Sequence, residues 1–214
     1  MLLKIYQRIH ESFGPQHWWP AETSFEVIIG AILTQQTSWN NVEKAISNLK
    51  KEQLLNPEKI RDAKKEKLEE LIRPSGYYRQ KTKKLKNFIN FLWEKYDGNL
   101  EKLFNQNISE LRKELLSVNG IGKETADSII LYAAEKPIFV IDAYTVRIMN
   151  RLGITSEKDY GMLQKLFEEN LPKDVQLFNE FHALIVHLGK NYCKKKPICD
   201  GCPLKIKCKY TKNN

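Results

Sequence analysis

Apolar positions recur at helical spacing along almost the whole chain. The opening stretch, MLLKIYQRIHESFG, reads as an amphipathic helix, and FEVIIGAIL (Phe25 to Leu33) is an apolar helical run preceded by Thr23-Ser24. Further helices are predicted over residues 40–49, 68–72, 81–96, 111–117, 123–134, 143–152, 160–170 and 175–192. In the 81–96 stretch Leu85, Phe88, Ile89, Phe91 and Leu92 keep the spacing, and the 68–72 stretch stops at Pro74-Ser75-Gly76. IFVI, Ile138 to Ile141, is the one strand-like segment. It is short and stands directly before Asp142, so it reads as an extended lead into a helix N-terminus. No low-complexity linker and no clean repeat interrupts the pattern.

Composition narrows the partners. The 214 residues suffice for one large domain or two intertwined small ones. No run of eighteen apolar residues occurs, so no membrane span is expected. The N-terminus lacks the apolar core and small-residue cleavage site of a secretory signal, which points to the cytoplasm. A formal charge of +9 favours a polyanion, because each neutralised phosphate releases condensed counterions. A Lys-rich surface of the kind thermophile proteins carry accounts for the same charge. All 4 cysteines lie between Cys193 and Cys208. Disulfides of a secreted protein would be spread through the fold, so clustering at one end argues for metal ligation.

Two local patterns carry candidate chemistry. LRKELLSVNGIGKETADSIILYAA, residues 111–134, reads as helix, tight turn and helix. Gly120 and Gly122 permit unusual backbone angles and leave N–H groups unobstructed at the start of the second helix. Those donors suit an anion such as a DNA phosphate, with Lys123 as an added cation; an ordinary αα-hairpin with a glycine turn is the other reading. In VIDAYTVRIMNRLGI, Asp142 stands at a helix start, where its carboxylate caps N–H groups. Capping accounts for the residue by itself; the functional alternative is a carboxylate facing the DNA that the hairpin grips.

Taken together, VNGIGKETAD, VIDAYTVRIMNR and a terminal C-x5-C-x2-C-x5-C resemble the endonuclease III superfamily of helix-hairpin-helix DNA glycosylases. FEVIIGAILTQQTSWNNVEKAI and RPSGYYRQKTKKL extend the resemblance over nearly the whole chain. It implies that Asp142 is the catalytic aspartate and that Gly120 and Gly122 form the phosphate-binding hairpin. Gln36 becomes the residue that wedges into the duplex where the target base has left. Cys193, Cys199, Cys202 and Cys208 become the ligands of a [4Fe–4S] cluster.

Departures from the family pattern are informative. Lyase members place a Schiff-base lysine where this chain has Glu124, and the lysine here is Lys123, on another helical face. A carboxylate forms no Schiff base with the sugar C1′. The catalytic glutamate of the adenine-removing branch is replaced by Ala31. The endonuclease III-related 3-methyladenine glycosylases resemble the chain more closely, through Trp18-Trp19-Pro20, LTQQT with Trp39, RPSGYY and GIGKETAD. That subgroup includes a member without the cluster cysteines, whereas this chain keeps all 4. An N3- or N7-alkylated purine is a cation with a weakened glycosidic bond, so its pocket needs a flipped base, π faces and a carboxylate. Trp18, Trp19 and Trp39 offer cation–π faces, with Pro20 as a wall; packing in the core is the plain alternative for each. His182 and His187 stand in FHALIVHLGK and read as core histidines.

The cysteines span sixteen residues, stiffened by Pro197 and Pro203. Structural zinc usually takes two separated C-x2-C pairs, and only one is present. The resemblance therefore favours the cluster, with zinc as the alternative. Lys194, Lys195, Lys196, Lys205, Lys207 and Lys209 surround the loop.

The expectation is an all-α, two-lobed fold. One lobe is a central helical domain, 24–134, ending in the hairpin; the other joins 1–23 to 135–214 and holds the cysteine loop, 193–208. Asp142 and the tryptophans are expected in the cleft between them. The expected activity is monofunctional removal of an alkylated purine from duplex DNA by a monomer. The alternatives are a glycosylase/lyase for oxidised pyrimidines and a non-catalytic DNA-binding module.

Overall fold

A computed structural model describes residues 1–212, and every regular element among them is helical. In chain order these are α1 (Leu2–Phe13), α2 (Ser24–Leu33), α3 (Trp39–Lys51), α4 (Pro57–Asp62), α5 (Lys65–Leu71), α6 (Tyr78–Tyr96) and α7 (Leu100–Phe104). They continue as α8 (Ile108–Ser117), α9 (Lys123–Ser128), α10 (Ala143–Leu152), α11 (Tyr160–Asn170), α12 (Val175–Asn191) and α13 (Lys209–Lys212). The chain divides into two compact units, residues 21–136 and residues 1–20 with 137–214. No helix among the described residues is long and apolar enough to cross a membrane.

In the 21–136 unit α2 is the axis. It is buried from Phe25 through Leu33, as an apolar helix without a polar face must be, and it packs on α3, α6 and α9. Its start is fixed twice: Thr23 Oγ1 accepts from the Glu26 N–H at 3.1 Å, and Glu26 Oε2 accepts from the Glu22 N–H at 3.0 Å. Its end is fixed by Lys81, which is 2% exposed; Nζ donates to the Leu33 carbonyl at 2.8 Å and the Ser75 carbonyl at 2.6 Å. Asparagine caps begin α4, α7 and α8, from Asn56, Asn99 and Asn107.

In the other unit α12 packs on α1 and α10. Its core is a group of phenyl rings. Phe139 stacks on Phe167 with centroids 4.0 Å apart and meets Phe178 edge-on at 5.4 Å. Gly189 lets α10 and α12 approach closely, because a Cβ there would overlap the Tyr144 ring. The 138–141 segment is extended, buried and unpaired with any strand. Its backbone is satisfied by α11: the Phe139 N–H donates to Glu168 Oε1 at 3.0 Å, and Gln164 Nε2 donates to the Phe139 carbonyl at 2.8 Å.

The helix expected over 123–134 is not uniform. It is α-helical to Ser128 and then opens into a π-helical turn, Ile129–Ala133, closed by the Ala134 N–H on the Ile129 carbonyl at 3.0 Å. Pro137 follows shortly, and Glu135 at φ +50° turns the chain out of the helix. α4 and α7 were absent from the periodicity reading because each is only about a turn long. α6 and α8 each begin three residues earlier than the apolar pattern.

Candidate functional site

Asp142 ends the extended segment and caps α10. Its Oδ1 accepts from the Thr145 N–H at 2.7 Å and from Thr145 Oγ1 at 2.8 Å. Its other oxygen, Oδ2, lies 3.9 Å from His182 Nε2 on α12, and the two side chains are 11% and 10% exposed. Burial pushes the His182 imidazole below its usual value, and the Asp142 charge pulls the other way. Capping and a reactive-facing carboxylate are thus compatible, since each uses a different oxygen. The core assignment of the two histidines holds only in part. His182 is buried, against the carboxylate, while His187 is only half-buried, its ring tilted against Phe13 with centroids 4.6 Å apart. No local signal separates them; only the packing of α12 on α10 does.

The hairpin lies in the 21–136 unit. Arg112 on α8 grips the fully buried Asp127 on α9 with two bonds, 2.7 and 3.1 Å, which fixes the two helices against each other. Gly120 takes φ +101°, and Gly122 is the N-cap of α9 with open space where a Cβ would stand. Lys123 and Glu124 are both exposed on the first turn of α9. The turn is braced from below. Asn87 Nδ2 on α6 donates to the Asn119 carbonyl at 2.9 Å, and Gln35 Nε2 donates to the Gly120 carbonyl at 3.2 Å. Gln36, next to Gln35, is exposed at φ +55°. Tyr77 shows a similar display: it precedes α6, is 61% exposed and takes φ +46°. Its signal was the Gly76-Tyr77-Tyr78 run.

The tryptophans divide between the units. Trp18 and Trp19, both half-buried, sit with centroids 5.0 Å apart and rings tilted by 49°, followed by exposed Pro20. Trp39 belongs to the 21–136 unit, at the start of α3, where its indole N–H donates to Glu43 Oε1 at 2.8 Å.

The four cysteines are free thiols that line one cavity of about 30 Å³, with Ile148, Leu152, Leu188 and Leu204 among its apolar walls. Arg151 and Arg147 of α10 hold the loop. Arg151 Nη1 donates to Cys193 Sγ at 3.3 Å and to the Lys194 carbonyl at 2.6 Å, and Arg147 Nε donates to the Cys193 carbonyl at 2.7 Å. Arg8 of α1 reaches the Pro203 carbonyl at 2.5 Å. Burial pushes the Cys202 thiol up, and the other three cysteines add to that rise. Among the described residues no three His, Cys, Asp or Glu side chains converge as ligands of a single metal ion. The loop lysines are exposed, and Lys205 pairs with Asp200 at 2.7 Å.

Comparison with known proteins places this geometry. Residues 29–173 match the family model described as HhH-GPD superfamily base excision DNA repair protein. A proposed DNA repair glycosylase of Methanocaldococcus jannaschii is 53% identical over 211 residues, covering 97% of this chain and 96% of the relative. Endonuclease III of Thermotoga maritima is 30% identical over 210 residues, covering 98% and 89%. The solved structure of H. pylori 3-methyladenine DNA glycosylase, bound to 1,N6-ethenoadenine, superposes with a TM-score of 0.77 at 30% identity, over 88% of this chain and 97% of that one. The family model spans residues 29–173 and the relatives extend the likeness along nearly the full length: the chain belongs to the HhH-GPD superfamily of base excision DNA repair proteins, as a DNA glycosylase.

Proposed function

We propose that the chain is a monofunctional glycosylase that removes alkylated, cationic purines from duplex DNA, with Asp142 as the catalytic carboxylate. The observation that carries this reading is the head of α10. There one carboxylate oxygen is fixed by two hydrogen bonds from Thr145, and the other is directed at a buried imidazole. Such a group is preorganised for the positive charge that builds on the sugar ring, a contribution of several kcal/mol in a dry site. The glycosidic C1′–N bond breaks with its electron pair passing to the base, which leaves neutral. Water then adds to C1′, and Asp142 accepts the proton that the water gives up. Trp18 and Trp19 present π faces to a cationic base, each worth about 0.5–2 kcal/mol.

The hairpin amides at Gly120 and Gly122, with Lys123, hold a backbone phosphate, and Gln36 enters the duplex from its exposed loop. Tyr77, equally displayed beside Gly76, suits stacking on a base. The chemistry at position 124 separates this reading from an endonuclease III-like lyase. Glu124 is exposed on the first turn of α9 and carries no amine. The likeness to the H. pylori 3-methyladenine glycosylase supports the alkylpurine class.

The cysteine loop fits an iron–sulfur cluster. Four thiols line one cavity, and Arg151 already donates to a sulfur as it would to a thiolate. Cys193, Cys199, Cys202 and Cys208 would hold it, and its contribution there is iron–thiolate bonding that ties the loop together.

The test is a panel of duplexes, each carrying one lesion. Duplexes with 3-methyladenine or ethenoadenine should yield free base and an abasic strand that breaks only after alkali. Borohydride should trap no protein–DNA adduct. Strand breakage without alkali on oxidised pyrimidines, with efficient trapping, would put the lyase reading in its place.

A further inference from the structure

One side chain ties three parts of the 21–136 unit together beneath the hairpin. Gln35 uses its whole amide. Nε2 donates to the Gly120 carbonyl at 3.2 Å and to Thr125 Oγ1, on the first turn of α9, at 2.9 Å. Its Oε1 accepts from Lys84 Nζ of α6. The stem of Lys84 in turn lies over Gly120, so closely that a Cβ there would overlap it. Gln35 directly precedes Gln36, which is exposed and held at φ +55°.

We propose that Gln35 is a positioning residue that locks the loop presenting Gln36 to the hairpin turn, so that phosphate gripping and duplex insertion act as one rigid piece. The inference rests on the reading of the hairpin and Gln36 as DNA contacts. The physical argument is one of geometry. The Gly120 carbonyl and the Thr125 hydroxyl flank the turn whose amides face phosphate, and both are bonded to the residue beside Gln36. A charge-assisted bond from Lys84 fixes the amide orientation, so both of its N–H groups point at the hairpin. Without that link the loop keeps its left-handed residue but loses its registration to the turn, and Gln36 reaches the duplex at a variable depth.

A double-mutant cycle on the full-length protein tests this. Gln35→Met keeps length and removes the donors; Gln36→Ala removes the inserted side chain. Affinity is measured for an undamaged duplex and for one carrying an abasic-site analogue, and 2-aminopurine fluorescence reports unstacking beside the lesion. The inference predicts that Gln35→Met lowers affinity for the abasic analogue about tenfold more than affinity for the undamaged duplex, with the unstacking signal falling too. In the Gln36→Ala background the same change should add little, as expected for residues acting as a unit. Lys84→Met should give a weaker version of the same pattern, and it serves as the second variant if Gln35→Met folds poorly. Full additivity, or equal loss on both duplexes, would overturn the inference and leave Gln35 as a fold-stabilising residue. If Gln36→Ala alone leaves lesion preference intact, the underlying reading of Gln36 falls, and the inference falls with it.

Discussion

Asp142 serves as both cap and candidate catalyst because its two oxygens are divided between Thr145 and His182. Its position at a helix start was legible in VIDAYT; its facing residue was not, since His182 is some forty positions away and joins it only through α12. The same holds for Gln35 and Gln36. Adjacent identical residues differ in setting because one turns toward Gly120 and the other outward, which no local pattern encodes. Lys81 is the clearest case of a residue whose meaning is tertiary. It reads as one lysine in a basic stretch, yet it is buried and closes the end of α2. Burial holds it down to about 8 from the ordinary 10.5. Between those values the unfolded chain binds a proton that the folded chain does not, so this residue's contribution to stability rises with pH across that window and is least below it. The stability difference between the native protein and Lys81→Met should therefore shift in favour of the native protein from pH 8 to pH 10, as measured by guanidinium melts. Parallel pH profiles would contradict the buried, readily deprotonated amine.

At the scale of elements, the apolar period located the longer helices and missed three short ones, α4, α7 and α13. α4 and α7 announce themselves instead by capping asparagines, with Pro57 at the first turn of α4, a signal independent of periodicity. The π-helical turn at Ile129–Ala133 has no signature in an apolar pattern that is continuous through it. The seat of α10 on α12 depends on Gly189, and its strength is measurable. Gly189→Ala gains about 1 kcal/mol of helix propensity. It also drives a methyl into the Tyr144 ring, an overpacking cost of about 1–3 kcal/mol. The collision should win, lowering the denaturant midpoint, and Tyr144→Ala in the same background should relieve it. A more stable Gly189→Ala protein would show that the two helices have room to spare.

For the whole molecule, the positive charge pointed to a polyanion, and the family bears that out as DNA. The clustered cysteines were legible as a group because their spacing is local. The arginines that hold their loop, Arg8, Arg147 and Arg151, come from helices distant in sequence. Purified aerobically, the protein should be yellow-brown with a broad absorption near about 400 nm, and Cys202→Ser should lose colour and stability together. Colourless protein with stoichiometric zinc would reverse the metal assignment. The central claim is that Asp142 drives hydrolytic release of a damaged base, and single-turnover base release from a 3-methyladenine duplex tests it most directly. Asp142→Asn keeps the cap, since asparagine caps as well as aspartate, and removes the charge. The account predicts that release falls by about a hundredfold or more, with lesion-duplex binding retained. Release at the native rate by Asp142→Asn would contradict it and leave the carboxylate as nothing more than a helix cap.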